Sequence, residues 1–501
     1  MQLIQLGHNV ISLLTPFNLG IFLICSLAGI VFGCLPGLTA SIGIALLTGF
    51  TYGVDTDTAL IMLISMYVGA IYGGSISAIL IGIPGTGSAS ATVLDGHVLA
   101  KKGEAGRALS LATLSSLIGT LFGMFCLALF TPLLIRLALN FTSVEYTLLA
   151  IFGITICGSL SSAGEPLKGW ISGFVGLFIS SIGFDTLFSY PRFTYGSVSL
   201  LGGINFVPAM IGLFGLPAVF NALANTTDSS ALPASQKVQV SISSLVRKHI
   251  ALILKSGVIG SFVGTIPGVG EDVAAWLSYD SAKRSSKEPE LFGKGSYEGV
   301  IAAETANNAC IGGAMIPLLS LGVPGSGPCA VLLGALTLHG IRTGPMLEKN
   351  NPGFILKMCA IIIVAAIFMR FGGLLMSKIA PKLLSVPSFI LMPIVAVLCV
   401  IGSYAIYVTK FDIYSMFFMG LLGYFFDKMK YPSAPAVLGV ILGSLLDSNL
   451  RRSLMASRGS LVNFFTRPIA LVILIMIIIS IFSQTNSYSQ SRKWFKSHLK
   501  R

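Results

Sequence analysis

A chain of 501 residues of which 54% are apolar and only 10% charged, with a mean hydropathy of +0.86, lacks the polar surface of a soluble globule, where about 25% of residues are charged. Its solvent is largely lipid. The net charge of +13 is not a nucleic-acid footprint, because Lys and Arg sit in short loops (Lys101, Lys102 and Arg107; Arg247 and Lys248; Lys283, Arg284, Lys287 and Lys294; Lys428 and Lys430) and in the tail (Arg492, Lys493, Lys496, Lys500 and Arg501), the distribution that orients membrane proteins.

A spanning helix needs roughly 20 mostly apolar residues. In chain order, hydrophobic segments run over 18–35, 58–83, 107–135, 143–160, 167–184, 204–221, 249–266, 298–323, 354–378, 383–405, 411–426, 433–447 and 467–483. Several are too short, or too interrupted by Gly and Pro, to be simple spans. A transmembrane strand alternates over roughly ten residues, and Ala470 to Phe482 shows no alternation. The expected fold class is therefore an all-α polytopic membrane protein. Met1 to Phe17 has no Lys or Arg and so no charged region of a cleavable signal peptide; it reads as a short amphipathic or interfacial helix. The basic tail predicts a cytoplasmic C-terminus, with Arg451, Arg452 and Arg458 one span earlier counting against it. The eight cysteines, at positions 25, 34, 126, 157, 310, 329, 359 and 399, fall in apolar segments without ligand spacing and read as buried small hydrophobes.

The chain repeats itself. Gly73-Gly74-Ser75 onward to Pro84-Gly85-Thr86-Gly87 has a counterpart in Gly312-Gly313-Ala314 onward to Pro324-Gly325-Ser326-Gly327, with one residue inserted upstream in the later copy. Each is preceded by a further Pro-Gly, Leu35-Pro36-Gly37-Leu38-Thr39 in the first half and Ile266-Pro267-Gly268-Val269-Gly270 in the second. Asn221 to Ser244 is polar and rich in Ser, Ala, Thr and Asn, the composition of a linker. The expected organisation is a first transmembrane repeat over 1–220, a linker over 221–246, a second repeat over 247–465, and a terminal helix with a basic tail over 466–501. The two repeats are expected to be inverted and to carry broken or re-entrant helices.

Proline removes a helical donor and clashes with the preceding turn, and glycine permits the sharp turn that follows. A helix stopped this way inside a membrane leaves backbone groups that only protein or a water-filled cavity can satisfy. In secondary transporters such ends meet near the midplane, with positive half-helix N-termini aimed at anionic groups. The candidate substrate-binding residues are accordingly Gly37, Thr39, Ser41, Ser75, Gly85, Thr86, Ser88, Gly268, Gly270, Gly325 and Ser326. Small residues of this kind also serve tight helix crossings, the alternative for any single break.

Polar residues inside apolar segments are costly and default to function. Glu304 and Asn308 share a helix face with Asn307 beside them, a hard-oxygen set suited to Na⁺ or a helix–helix hydrogen-bond cluster. Glu271 and Asp272 open a helix after Gly270, as favourably placed N-terminal anions or as a cation or proton site. Arg370 lies inside an apolar run outside the duplicated motifs, to snorkel or to pair with another segment. His97 and His339 read as loop or packed histidines. There is no Gly-x-Ser-Gly nucleophile turn, no Gly-x-Gly-Asp partner for Tyr279-Asp280 and no phosphate loop, so nothing points to an enzyme or to ATP drive.

Six blocks give a family resemblance: Pro36-Gly37-Leu38-Thr39-Ala40, Tyr72-Gly73-Gly74-Ser75-Ile76 onward to Pro84-Gly85, Asp95-Gly96-His97, Phe292-Gly293-Lys294-Gly295, Glu304-Thr305-Ala306-Asn307-Asn308-Ala309 and Gly322-Val323-Pro324-Gly325-Ser326. Together they closely resemble the large membrane subunit of the tripartite tricarboxylate transporters, the TctA family. The resemblance implies a multi-pass permease of the bacterial inner membrane, working with a small membrane subunit and a periplasmic substrate-binding protein. It implies uptake of a carboxylate, mono-, di- or tricarboxylic, driven by Na⁺ or H⁺ and without a further cofactor, with a homodimer as one option for assembly. The alternative is an anion uniporter or channel without a binding protein. Two features depart from the family pattern: Glu271-Asp272 stands where small neutral residues are expected, and no proline follows Leu47.

Overall fold

The computed structural model describes residues 2–35, 38–160, 165–185, 187–224, 248–384 and 388–483, and these are almost entirely helical. Five helical stretches are long and apolar enough to cross a membrane: Pro16–Cys34, Thr56–Ile81, Gly87–Ala138, Phe354–Ala380 and Ser433–Ala456, with seven shorter apolar helices beside them. The described chain groups into two compact units. One comprises Met1–Arg136 with Asn205–Phe425, the other Leu137–Ile204 with Phe426–Arg501, so each draws on both halves of the sequence. The linker lies almost wholly outside the described residues, and so does the basic tail.

The first unit opens with α1 (Gln2–Leu13) and α2 (Pro16–Cys34). Thr15 caps α2 by accepting the Asn18 N–H at 3.2 Å, and Pro16 occupies the first turn, where its missing N–H costs nothing. Two short helices flank a long one: α3 (Ala40–Thr51), α4 (Thr56–Ile81) and α5 (Ser90–Leu99), followed by α6 (Ala105–Ala138). Asp55 caps α4 through the Thr58 N–H at 2.9 Å. After α10 (Phe206–Met210) and α11 (Leu216–Ala224), the pattern recurs in α12 (Ile250–Gly264), α13 (Gly270–Ser285), α14 (Tyr297–Leu321) and α15 (Gly327–Leu338). Three further long helices follow: α17 (Phe354–Leu384), α18 (Ser388–Tyr407) and α19 (Lys410–Lys428), preceded by the single turn α16 (Leu347–Asn350). The hydrophobic segments read from sequence correspond to the long helices. The scan for spans missed α3, α5, α13 and α15, the half-length helices that restart after each break.

The two halves share local geometry to the residue. Both α4 and α14 end on a left-handed glycine, Gly82 at φ 72° and Gly322 at φ 73°. In both, the chain then doubles back so that the Gly85 N–H reaches the Gly74 carbonyl and the Gly325 N–H the Ala314 carbonyl, each at 3.3 Å. A constant offset of 240 residues therefore relates Gly73, Gly82 and Pro84 to Gly313, Gly322 and Pro324. This corrects the one-residue insertion expected between the copies: Gly73 corresponds to Gly313, and Gly74 to Ala314. The glycines allow helix backbones to touch. A Cβ on Gly33 would lie 2.0 Å from the Ala70 carbonyl oxygen where α2 crosses α4, and one on Gly260 would lie 2.2 Å from that of Ala306 where α12 crosses α14.

The second unit holds α7 (Ser143–Leu160), α8 (Pro166–Ser180), α9 (Val198–Leu201), α20 (Ser433–Ala456), α21 (Asn463–Thr466) and α22 (Pro468–Ser483). It also carries a two-residue antiparallel pair that helical periodicity did not announce, β1 (Gly183–Phe184) and β2 (Pro191–Arg192). Fully buried Glu145 accepts from Thr142 Oγ1 and Arg467 Nε, both at 2.6 Å. Asp185 binds Arg451 at 2.5 Å and Asp447 binds Arg192 at 3.0 Å, in a ring that lines an open depression of about 410 Å³.

The glycine crossings give a stability prediction. Gly33→Ala and Gly260→Ala each push a methyl group into a carbonyl, an overpacking that costs typically 1–3 kcal/mol and here more, because backbone must move. Gly20, whose added Cβ would meet nothing within 4 Å, supplies the control. Size-exclusion profiles of detergent-extracted protein should show several-fold losses for the first two and wild-type yield for Gly20→Ala.

Candidate functional site

Four short helices restart after the four breaks, and their N-terminal ends gather inside the first unit. Thr39 caps α3, its Oγ1 accepting from the Ile42 N–H at 3.3 Å, and Ser41 is buried with its Oγ 3.2 Å from where a Cβ on Gly327 would lie. Gly327 opens α15, capped by Ser326, which accepts from the Cys329 N–H at 3.4 Å. A Cβ on Gly270, the first residue of α13, would lie 3.5 Å from Ser326 Cβ. The same construction on Gly87 lies 2.3 Å from Asp272 Oδ2. The ends of α3, α15, α13 and the turn before α5 thus follow one another without a gap. Gly268 and Gly270 take positive φ, 75° and 72°, as the tight turn between α12 and α13 requires. Gly37 lies outside the described residues, as does Pro36.

One tyrosine ties this cluster together. Tyr67, in the middle of α4 and fully buried, hydrogen-bonds through its hydroxyl to the Glu271 carboxylate and to Ser326 Oγ at 3.0 Å. Glu271 is buried and partnered. Asp272 points the other way: it is accessible, lies against Gly87, and has no hydrogen-bond or ion-pair partner among the described residues. Thr86 and Ser88 bond to each other at 2.9 Å, and the Ser88 carbonyl accepts from Asn307 Nδ2 at 3.4 Å.

A second polar centre lies beside the first. The Glu304 carboxylate is fully buried and receives hydroxyls from three helices: Ser75 at 2.6 Å from α4, Thr92 from α5, and Ser116 at 2.9 Å from α6. Asn308 completes it, donating to the Glu304 carbonyl at 3.1 Å and to Asn307 Oδ1 at 2.6 Å, and accepting from Thr120 at 3.3 Å. Ser75, grouped with the substrate residues in the sequence reading, therefore sits on this carboxylate rather than at a helix end. Tyr67, Thr92 and Ser116 escaped the sequence reading, because nothing in a single chain marks which hydroxyls face a distant carboxylate.

Two motifs that sequence reading left without a role are brought together by Asp95. This fully buried residue accepts from the N–H groups of Gly293, Gly295 and Ser296, each at 2.8 Å on Oδ1, and from the Tyr279 hydroxyl at 2.8 Å on Oδ2. Gly293 at φ 82° and Gly295 at φ 101° turn the successive N–H groups inward, a concavity that binds anions. The latch fixes α5 against the loop that leads into α14. His97, two residues on, packs beneath the end of α4 with Nδ1 3.1 Å from the Ile79 carbonyl, and His339 bonds Thr51 at 3.0 Å.

Tyr67→Phe keeps the ring that fills the core and removes the hydroxyl shared by Glu271 and Ser326. A hydrogen bond to a charged group contributes about 1.5–3 kcal/mol, so the thermal midpoint of the detergent-extracted protein should fall by several degrees. Membrane abundance, measured alongside by immunoblot, should stay near wild type.

The chain matches known proteins over most of its length. Residues 19–438 match the tripartite tricarboxylate transporter TctA family. The chain is 36% identical over 458 residues, 91% of each sequence, to a protein of Agrobacterium vitis described as an uncharacterized 52.8 kDa protein in the TAR-I ttuC' 3' region. It is 36% identical over 211 residues, 42% of this chain and 87% of the relative, to a second Agrobacterium vitis protein from the TAR-II ttuC' 3' region. No solved structure matches it. The chain belongs to the TctA family and is a multi-pass membrane subunit of a tripartite tricarboxylate transporter.

Proposed function

We propose that this subunit takes up a small organic acid delivered by an extracytoplasmic binding protein, with an ion gradient as the driving force, and that the four gathered helix ends hold the anion. The observation that carries this reading is the convergence of Thr39, Ser41, Ser326, Gly327, Gly270 and Gly87 on one place. Each helix N-terminus offers about half a positive charge and free N–H groups, and hydroxyls stand at three of the ends. Two repeats lying in opposite orientation in the inner membrane would bring four such ends to mid-depth. The coupling cation, Na⁺ or H⁺, is assigned to Glu304 with Asn307 and Asn308, since the carboxylate, amide and hydroxyl oxygens around it form an all-oxygen set.

The charge of the anion follows from Asp272. With no guanidinium or ammonium at the helix ends among the described residues, the positive potential there is modest, and Asp272 stands unneutralised by any described residue beside Gly87. At an effective dielectric of about 20, a carboxylate about 6 Å from a substrate charge costs roughly 3 kcal/mol. The penalty rises with every further substrate charge, so the site favours mono- and dicarboxylates over trivalent citrate.

Transport of mono-, di- and tricarboxylates by the complete three-component system tests both statements. Asp272→Asn should raise tricarboxylate uptake relative to dicarboxylate by tenfold or more, whereas Glu271→Gln, which alters a group already partnered by Tyr67, should leave the ratio unchanged. Efficient citrate uptake by the wild type would defeat the charge argument. Replacing Na⁺ with choline should abolish uptake if Na⁺ couples, and Asn308→Ala should then raise the Na⁺ concentration for half-maximal rate at least several-fold; wild-type uptake indifferent to Na⁺ assigns the coupling to protons.

A further inference from the structure

Arg370 lies near the middle of α17, eight residues, or about 12 Å of helix, from Lys378 and thirteen residues, or about 20 Å, from Lys357. Lys357 marks one end of the span, pairing with exposed Asp57 at 2.7 Å. Arg370 has no salt bridge and no hydrogen bond among the described residues, and its Nη1 is buried without a partner. The residues outside the described set contain one acidic side chain, Asp228, in the polar linker. A membrane arginine ordinarily meets an anion, faces a water-filled cavity or snorkels to the surface. Snorkelling toward Lys378 is opposed by geometry, because helical side chains lean toward the N-terminus, which here is the deeper direction.

The surroundings place this guanidinium at the edge of the lipid-facing side. On its inner flank, a Cβ on Gly373 would lie 2.6 Å from the Tyr72 ring, and the Tyr72 hydroxyl is already spent on Thr113 Oγ1 at 2.8 Å. On its outer flank, Ile367, Phe371, Leu375 and Ile379 recur every fourth residue, all exposed, with Phe371 at 66%. Such an i, i+4 row is the ridge that packs into the groove of another helix.

We infer that Arg370 is the docking point for a carboxylate carried on a membrane helix of a partner subunit, seated along the Ile367–Phe371–Leu375–Ile379 ridge. The inference rests on the multi-subunit make-up of the family and is independent of the substrate. A lipid phosphate lies outside the hydrocarbon region, beyond the inward-leaning side chain, whereas a neighbouring helix presents its carboxylate at whatever depth its sequence dictates.

The test extracts the complete three-component transporter in detergent and measures the amount of small membrane subunit retained per large subunit. Arg370→Met, uncharged and of similar length, should lower retention at least tenfold, Arg370→Lys should keep most of it, and Arg370→Glu should abolish it. Reversing one acidic residue in a membrane helix of the small subunit to Lys should restore retention with Arg370→Glu. Wild-type retention in both Arg370→Met and Arg370→Glu overturns the inference, as does restoration of the Met variant by added phosphatidylglycerol alone, which assigns the site to lipid. If Arg370→Met fails to accumulate in the membrane, the charge-reversal pair decides: rescue supports the docking contact, and its absence from every acidic position overturns it. Selectivity among carboxylates enters none of these readouts, so the outcome stands apart from that of the substrate reading.

Discussion

A helix that stops inside a bilayer leaves N–H and C=O groups where no water reaches them, and the first unit is organised around that constraint. After Gly82 and Gly322 the chain returns along its own helix, so that Gly85 and Gly325 donate to carbonyls at Gly74 and Ala314. The return works because nothing larger than hydrogen stands in the way: a Cβ at Gly85 would lie 1.9 Å from the Gly33 carbonyl oxygen, and one at Gly325 would lie 2.1 Å from that of Gly264. Glycine therefore does two things at each break. It supplies the turn, and it lets the stopped end approach the preceding helix closely enough to shield its backbone.

The same constraint governs side chains. A buried carboxylate without donors is strongly disfavoured, and three carboxylates of this unit are met by different devices. Asp95 takes three backbone N–H groups and a tyrosine hydroxyl, Glu304 takes three hydroxyls from three helices, and Glu271 takes the Tyr67 hydroxyl. Backbone donors are rigid, and Asp95 is correspondingly a latch between loop and helix. Hydroxyls rotate, so the donors around Glu304 can reorient without moving the backbone, as the proposed cation site would require. That difference in donor type sets the Asp95 latch apart from the carboxylate to which the coupling ion is assigned in the proposal above.

Much of this was legible in the sequence, and the limits have physical causes. The breaks were legible because Pro-Gly recurs in matched order in apolar runs of both halves, where any single one could serve a tight helix crossing, and Thr39 and Ser326 stand where helix caps are expected. The half-helices were not found as elements: α3 and α15 have twelve residues each, below the length that registers as a span. Offsetting Gly-Gly by one residue also concealed that Gly74 is Ala314 in the second copy, since a pair of adjacent glycines matches equally well in either register until the turn hydrogen bond selects one. Tyr67, Thr92 and Ser116 became visible only in three dimensions, because their roles depend on residues 188 to 212 positions away.

Two charged side chains of the first unit stand apart from the partnered carboxylates around them. Asp272 and Arg370 are of opposite sign, and neither has a hydrogen-bond or ion-pair partner among the described residues. They do not serve one another, since Asp272 stands at the opening of α13 beside Gly87 while Arg370 lies on α17, three residues before the Gly373 that meets the Tyr72 ring. A fold under the constraint of a lipid solvent retains such charges where something outside the chain meets them. On the readings proposed above, an accessible carboxylate among helix N-termini would limit the charge of what enters, and a guanidinium at the margin of a lipid-facing ridge would meet an anion that arrives on another helix. On those readings the two positions would separate a face that handles the substrate from a face that handles assembly, a division that the duplicated Pro-Gly motifs do not reveal because Arg370 lies outside them.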